Sequence, residues 1–542
     1  AVYKADKYRD TATGELKFTE MAKEQKMKQS SGSSGERKEF FEWELHYNRG
    51  FKEHHVGGVL KYTQSSKVFT QNLGTDLKTG MAQRNQGLAG RVNYNWNYRY
   101  FVDFNFGYTG SENFHKDYRF GFFPAISGAW NMAEESIIKD NLKWVNMFKI
   151  RYSHGKVGND NIGDNNRFPY LYTIATTGYN SEGKPNYVYN WGFGDYGKSF
   201  IGTHYTQMAS NGITWEVATK DDLGIDLALF NDKFTATVDY FHEKRTGIFL
   251  TREFLPDITG LESKPKANVG EVKSQGFDGN FALKQKLGEV DMTIRGNITY
   301  SKNEVLEKDE ENQVYSYLYQ KGYRVDQVKG LIAEGLFADY DDIRTSPKQE
   351  FGTVQPGDIK YKDVNGDGVI DSYDQVRGVG NPSTPEIIYG FGLNAEYKGF
   401  YASIFFQGAG NTSVLLGGAT SEGWYPFSWG VDQSNYRTFA LDRWTESNPS
   451  QDVIIPRLHK NNANNANNRV ASTWWLRDGS FLRLKNIEFG YQLPKKFMDK
   501  IGFEAARIYI MGYNLAVWDK IKYFDPEAGN ANAGLNYPLP RT

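Results

Sequence analysis

The chain has 542 residues with 64 basic and 65 acidic side chains, a formal net charge of −1, so no overall field draws it to nucleic acid or to an anionic membrane surface. It contains no Cys, which excludes disulfides, thiolate metal sites and cysteine nucleophiles, and no apolar run approaches the roughly 18 residues of a transmembrane helix. Aromatic residues make up 15% of a chain that is only 39% hydrophobic, a bias that suits one very large sheet better than several ordinary domains.

In chain order, the first 20 residues have room for one hairpin. Phe41, Trp43, Leu45 and Tyr47 then alternate with Glu42, Glu44 and His46, the period-two pattern of a strand with one apolar and one polar face, and predict a pair at 39–47 and 53–63. His54 and His55 fall in its short turn, where a solvated role is expected. Val102, Phe104, Phe106 and Tyr108 against Asp103, Asn105 and Gly107 predict strands at 87–96 and 99–110 joined at Asn97-Tyr98. A looser pair, 120–130 with 146–154, follows, and alternation stops over 155–217. Phe234, Ala236, Val238 and Tyr240 belong to a hairpin of 218–230 and 233–249 around Asn231-Asp232. Val290, Met292, Ile294, Ile298 and Tyr300 belong to one of 274–286 and 289–303 around Lys286-Leu287-Gly288. After a second gap, 304–385, Lys398-Gly399 joins 386–397 to 400–411, and after a third, 412–480, a last pair is expected at 481–493 and 504–516.

Short turns thus lie at one end of the strands and long Gly-, Asn-, Asp- and Pro-rich loops at the other. That asymmetry, with aromatic, alternating strands, is the pattern of an outer-membrane barrel. The fold class expected is all-β, a large antiparallel transmembrane β-barrel with about sixteen strands represented here. Residues 1–542 form one barrel domain, incomplete at both ends, with 155–217, 304–385 and 412–480 as extracellular loops.

Three features stand out in those loops. Asp363, Asn365, Asp367, Asp371 and Asp374 supply oxygens at positions 1, 3, 5, 9 and 12 of a twelve-residue stretch, with Gly368 at position 6 and the Val369 carbonyl at position 7. This is calcium-loop spacing of the EF-hand kind, with Asp in place of the usual Glu at position 12; an acidic turn is the plainer alternative. Two aromatic clusters, Tyr189, Trp191, Phe193 and Tyr196, and Trp424, Tyr425, Phe427 and Trp429, suit stacking on sugar or gripping peptide, closing a loop core, or packing against a lid protein. The Asn-rich run from Asn461 to Asn468 is expected to be a solvated low-complexity loop. No catalytic arrangement is present: the eight His form no HExxH, and "GFGLNA" (Gly390 to Ala395) lies inside a strand pattern without the helix that a dinucleotide site needs. An enzyme is not expected.

The strings from Gly87 to Glu135, "ITWEVATKDDLGIDLALFNDKFTATVDYF" (Ile213 to Phe241), "NVGEVKSQGFDGNF" (Asn268 to Phe281), Gly357 to Asn411 and "LRDGSFLRLKNIEFGYQLP" (Leu476 to Pro494) resemble the barrel of SusC/RagA-type TonB-linked outer-membrane transporters. The resemblance implies a 22-stranded barrel filled by an N-terminal plug, in the outer membrane of a Gram-negative bacterium, importing oligosaccharide or peptide with TonB energy beneath a SusD-like surface lipoprotein. The family's plug, TonB box, first strands and last strand are not in this sequence, so it is expected to be the barrel portion of a longer chain. A structural subunit of a larger envelope complex is the alternative role. Calcium on the loop at Asp363 is the one cofactor expected.

Overall fold

Fourteen alternating segments pair into a single antiparallel sheet in the computed structural model of the chain. The structure describes every residue except 1, 10–11, 23–31, 34, 71–76, 164–166, 177–189, 194–197, 202, 260, 262, 417–437, 460–465 and 529–538. The strands are β1 (Glu36–Phe51), β2 (His54–Phe69), β3 (Gln83–Trp96), β4 (Tyr100–Ser111), β5 (Phe120–Asn131), β6 (Val145–Asn159), β7 (Glu216–Leu229), β8 (Phe234–Thr251), β9 (Lys266–Leu287), β10 (Val290–Glu307), β11 (Ile387–Tyr397), β12 (Phe400–Gly410), β13 (Phe481–Gln492) and β14 (Arg507–Asp519). Each pairs with its sequence neighbours, so the sheet is one meander from β1 to β14. Val2–Arg9 and Leu16–Ala22 pair separately, and together the two groups account for the number of strands expected. Among the described residues, β1 and β14 are the margins of the sheet and do not pair with each other.

The loop asymmetry is present, although 132–144 and 493–506 at the short-turn end are longer than 112–119 at the loop end. Only Lys52-Glu53, Gly288-Glu289 and Lys398-Gly399 separate the strands of three hairpins, whereas 160–215, 308–386 and 411–480 join strands at the opposite end. At Lys398 and Gly399, φ is 47° and 87°, the two positive values that a tight turn needs to match the right-handed twist of its strands. The turn after β9 lies later than the sequence suggests, because Lys286 and Leu287 still pair with Asp291 and Val290. His54 and His55 likewise open β2 instead of forming the turn, and His54 Nδ1 lies 2.7 Å from the Tyr94 hydroxyl.

The two faces of the sheet differ as the alternation demands. Val102, Phe104 and Tyr108 are exposed on one face of β4. On the other, Asp103 accepts hydrogen bonds from Arg91 Nε at 2.7 Å and from the Asn105 amide at 2.6 Å. The polar face continues on β6 to β8, where Arg151 Nε donates to Asp226 at 2.8 Å and its Nη2 reaches Asp239 at 2.8 Å. That reach crosses Gly224 of β7, where any Cβ would collide with both Arg151 and Asp239. With the apolar face toward lipid, the polar face becomes the lumen wall. At the short-turn rim Trp96, Tyr100 and Trp130 form a run of stacked rings, an interfacial girdle. Strands β8 and β9 run for 18 and 22 residues, about twice the length needed to cross a bilayer, so the sheet continues beyond the membrane at its loop end.

Phe104→Arg should lower the stability of the folded protein in lipid vesicles by about 2–4 kcal/mol at midplane depth, whereas Asn105→Arg on the polar face should be tolerated. Denaturant midpoints of the two variants check this assignment of faces.

Candidate functional site

At the loop end, segments from two distant loops build one core. Leu331, Leu336, Ile359, Tyr361 and Ile370 come from the β10–β11 loop, and Leu416, Phe439, Trp444, Ile455 and Trp475 from the β12–β13 loop; all ten are buried together. Fully burying such a side chain is worth about 1.5–3 kcal/mol against leaving it exposed, so the two loops hold each other as one packed unit.

Polar groups fix their register. Asn467 and Asn468, at the end of the Asn-rich run, are 2% and 1% exposed. Gln349 Nε2 donates to Asn467 Oδ1 at 2.7 Å, and Asn467 Nδ2 donates to the Ile359 carbonyl at 2.9 Å. The Ile359 N–H donates to Asn468 Oδ1 at 2.9 Å, and Asn468 Nδ2 donates to Asp358 Oδ1 at 2.8 Å. The same Asp358 oxygen lies 2.6 Å from His459 Nε2. The end of this run is therefore a buried clamp, not a solvated loop; residues 461–465 lie outside the described residues. An amide carries both donor and acceptor, so a side chain of this type can satisfy a backbone N–H and a carbonyl at once. The sequence signal for it was the Trp474-Trp475 pair just downstream, whose Trp475 Nε1 donates to the Asn468 carbonyl at 2.8 Å.

The six expected cation ligands lie together in one turn. Asp363 accepts from the N–H groups of Gly366 (2.7 Å) and Gly368 (2.8 Å), and Asp367 from that of Val369 (2.8 Å). Asp374 is fully buried and accepts from Val364 N at 2.8 Å and from Asp371 N at 2.9 Å, while Asp371 caps Tyr373 N at 2.6 Å. Asn365 accepts from Asp367 N at 3.0 Å. Among the described residues, no group of three or more His, Asp or Glu side chains is gathered as a ligand set; the oxygens here meet backbone N–H groups. Tyr317 packs at the turn and donates to the Tyr373 carbonyl at 2.8 Å. Burial, and then the charge of Asp374, push its phenol above the ordinary value.

Of the aromatic clusters, Trp191 and Phe193 lie on a short strand, Asn190–Phe193, paired with Lys198–Ile201. Tyr189, Tyr196, Trp424, Tyr425, Phe427 and Trp429 lie outside the described residues. Sequence reasoning missed a different group: Gln407 of β12, Arg483 of β13 and Glu527 beyond β14. Arg483, almost fully buried, donates to Asp525 at 2.6 Å and lies 2.6 Å from Glu527. Gln407 and Glu527 line a cavity of about 320 Å³ where loops and wall meet. Nothing local in the sequence marks these residues, which meet only because β13 lies beside β12 and beside the segment after β14.

No family model matches the chain. It is 27% identical over 475 residues to the TonB-dependent receptor P3 of Formosa agariphila, covering 83% of this chain and 43% of that protein. It is 26% identical over 515 residues to the TonB-dependent receptor SusC of Bacteroides thetaiotaomicron, covering 92% of this chain and 46% of that one. Among solved structures, the RagAB peptide transporter superposes with a TM-score of 0.68 at 19% identity, over 92% of this chain and 53% of that chain. The chain is thus similar, strand for strand, to the barrel portion of SusC/RagA-type TonB-linked outer-membrane proteins. It spans less than half the length of the curated relatives it matches. This SusC-like sheet is an outer-membrane barrel fold, and the receptor names of its relatives agree with the expectation that it is not an enzyme.

Asn468→Leu should strand the Ile359 N–H and one bond of Asp358, at about 1–3 kcal/mol per buried group. The expected result is faster protease cleavage and faster amide exchange within 330–360, with the unfolding midpoint of the SusC-like sheet unchanged.

Proposed function

We propose that this protein is the outer-membrane conduit of an active importer of oligomeric nutrients, oligosaccharide or peptide, working beneath a SusD-like surface lipoprotein and driven by TonB through an N-terminal plug. The observation that carries the reading is the union of two loops into one packed mouth at the end of a polar lumen wall, with a solute-sized cavity where they meet. The receptor names of the relatives and the transporter fold support it. The alternative of a purely structural subunit calls for a wall without a pocket, and the cavity favours import. Deleting the gene in its host should abolish growth on, and uptake of, one class of labelled oligomer, and the tagged protein should co-purify a surface lipoprotein. Unchanged uptake of every oligosaccharide and peptide tried would sink the proposal.

We also propose that the turn from Asp363 to Asp374 takes a calcium ion that stiffens the mouth. Support comes from ligand spacing, and from the second lone pair that the Asp363, Asn365, Asp367 and Asp371 oxygens keep after accepting one N–H. Calcium should slow proteolysis of the 304–385 loop, EDTA should reverse this, and Asp363→Ala with Asp367→Ala should remove the difference. Identical cleavage with and without calcium would show an acidic turn only.

A further inference from the structure

The cavity at the loop end of the wall is built by strand register. Ile388, Ala409 and Phe481 are successive partners across β11, β12 and β13, and one row further from the mouth Gly390, Gln407 and Arg483 are partners in the same way. Both rows lie on the polar face, because Gly390 also pairs with Asn297 of β10, whose neighbours Ile294 and Ile298 are exposed on the opposite, apolar face. The cavity therefore opens on the path a solute takes along the lumen wall.

Its lining has two characters. Its apolar lining includes Ile388, half exposed, with Val414 and Phe481. Beside Ile388 on the same face of the sheet stands the Gln407 amide, which makes no hydrogen bond among the described residues, and the Glu527 carboxylate also lines the cavity. Glu527 already faces two cations, Arg483 at 2.6 Å and Lys485 at 3.7 Å, and Arg483 is shared with Asp525 at 2.6 Å. Two positive and two negative groups cancel, so a charged ligand would give up its hydration for no net counter-charge. A neutral ring with C–H bonds on its face and hydroxyls at its rim meets both characters of the lining. Hydroxyls can donate to Glu527 and both donate to and accept from Gln407. At about 320 Å³, the space is at the small end of ligand pockets, about 300–1,000 Å³, enough for one ring and not for a chain of several.

The geometry points to a subsite for a single neutral pyranose ring of an oligosaccharide, resting on Ile388 with its hydroxyls at the Gln407–Glu527 pair. This rests on the import reading and narrows its substrate class. A purely aliphatic side chain seated on Ile388 would leave Gln407 and Glu527 unused.

The test uses the full-length protein purified in detergent, with saturation-transfer NMR against an equimolar pool of neutral hexose oligosaccharides and, separately, a pool of tripeptides with uncharged side chains. Gln407→Leu removes the amide at nearly constant size, and Ala409→Leu fills the space; heat-modifiable gel migration confirms that each variant is folded. Ring-proton signals are expected from the oligosaccharide pool, with the Kd of the strongest binder raised about tenfold or more in either variant. No oligosaccharide signal, signal from the tripeptides alone, or an unchanged Kd in both variants overturns the subsite. The import reading is judged separately by the gene deletion: if the deletion stops uptake while Gln407→Leu imports normally, the subsite alone fails.

Discussion

In hydrocarbon no water is available to satisfy backbone polar groups, so every N–H and C=O that crosses the bilayer must be paired within the protein. The other features of the sheet follow from that constraint. A meander of sequential antiparallel strands pairs each segment with its chain neighbours. It also puts all chain reversals of one kind at one rim, where Lys52-Glu53, Gly288-Glu289 and Lys398-Gly399 are short enough to waste no backbone. The opposite rim, outside the membrane, is free to carry loops of any length.

Alternation along each strand then divides the protein electrically. Side chains such as Phe104 and Tyr108 meet lipid, while Asp103, Asp226 and Asp239 are turned to the other face, where Arg91 and Arg151 partner them. A glycine at position 224 lets one guanidinium serve two strands. Toward the loop end the wall gives way to a packed module whose stability comes from apolar burial and amide hydrogen bonds, as in a water-soluble domain. The protein thus changes solvent regime along its own length, and the cavity at Gln407 lies where the two regimes join.

Strands were legible in the sequence because a period of two is a local signal: the hairpin at Asn97-Tyr98 and that at Lys398-Gly399 can be read from a dozen residues each. Strand ends were less so, since β9 and β10 continue well past their alternating cores into the loop region. The acidic turn was legible as a unit for the same local reason, although its oxygens meet backbone N–H groups. What could not be read was any feature made by pairing across distance. Asn468 meets Asp358 from 110 positions away, and a run of Asn looks solvated until its partners are known. Arg483 and Glu527 come together only because β13 and the segment after β14 lie side by side.

The Asn467–Asn468 clamp also dictates an order of assembly. Its acceptors and donors at Gln349, Asp358 and Ile359 are synthesised and delivered before β11, but the amides that satisfy them arrive only after β12 has been laid down. Until then Asp358 keeps only its local bond from the Gln355 N–H and the β10–β11 loop core lacks its other half, and closing so long a span costs chain entropy that local turns do not. Biogenesis should therefore pass through a stage in which hairpins are inserted and the mouth is still open. A chaperone or protease at the cell surface would meet the loop core open at that stage and packed in the finished protein.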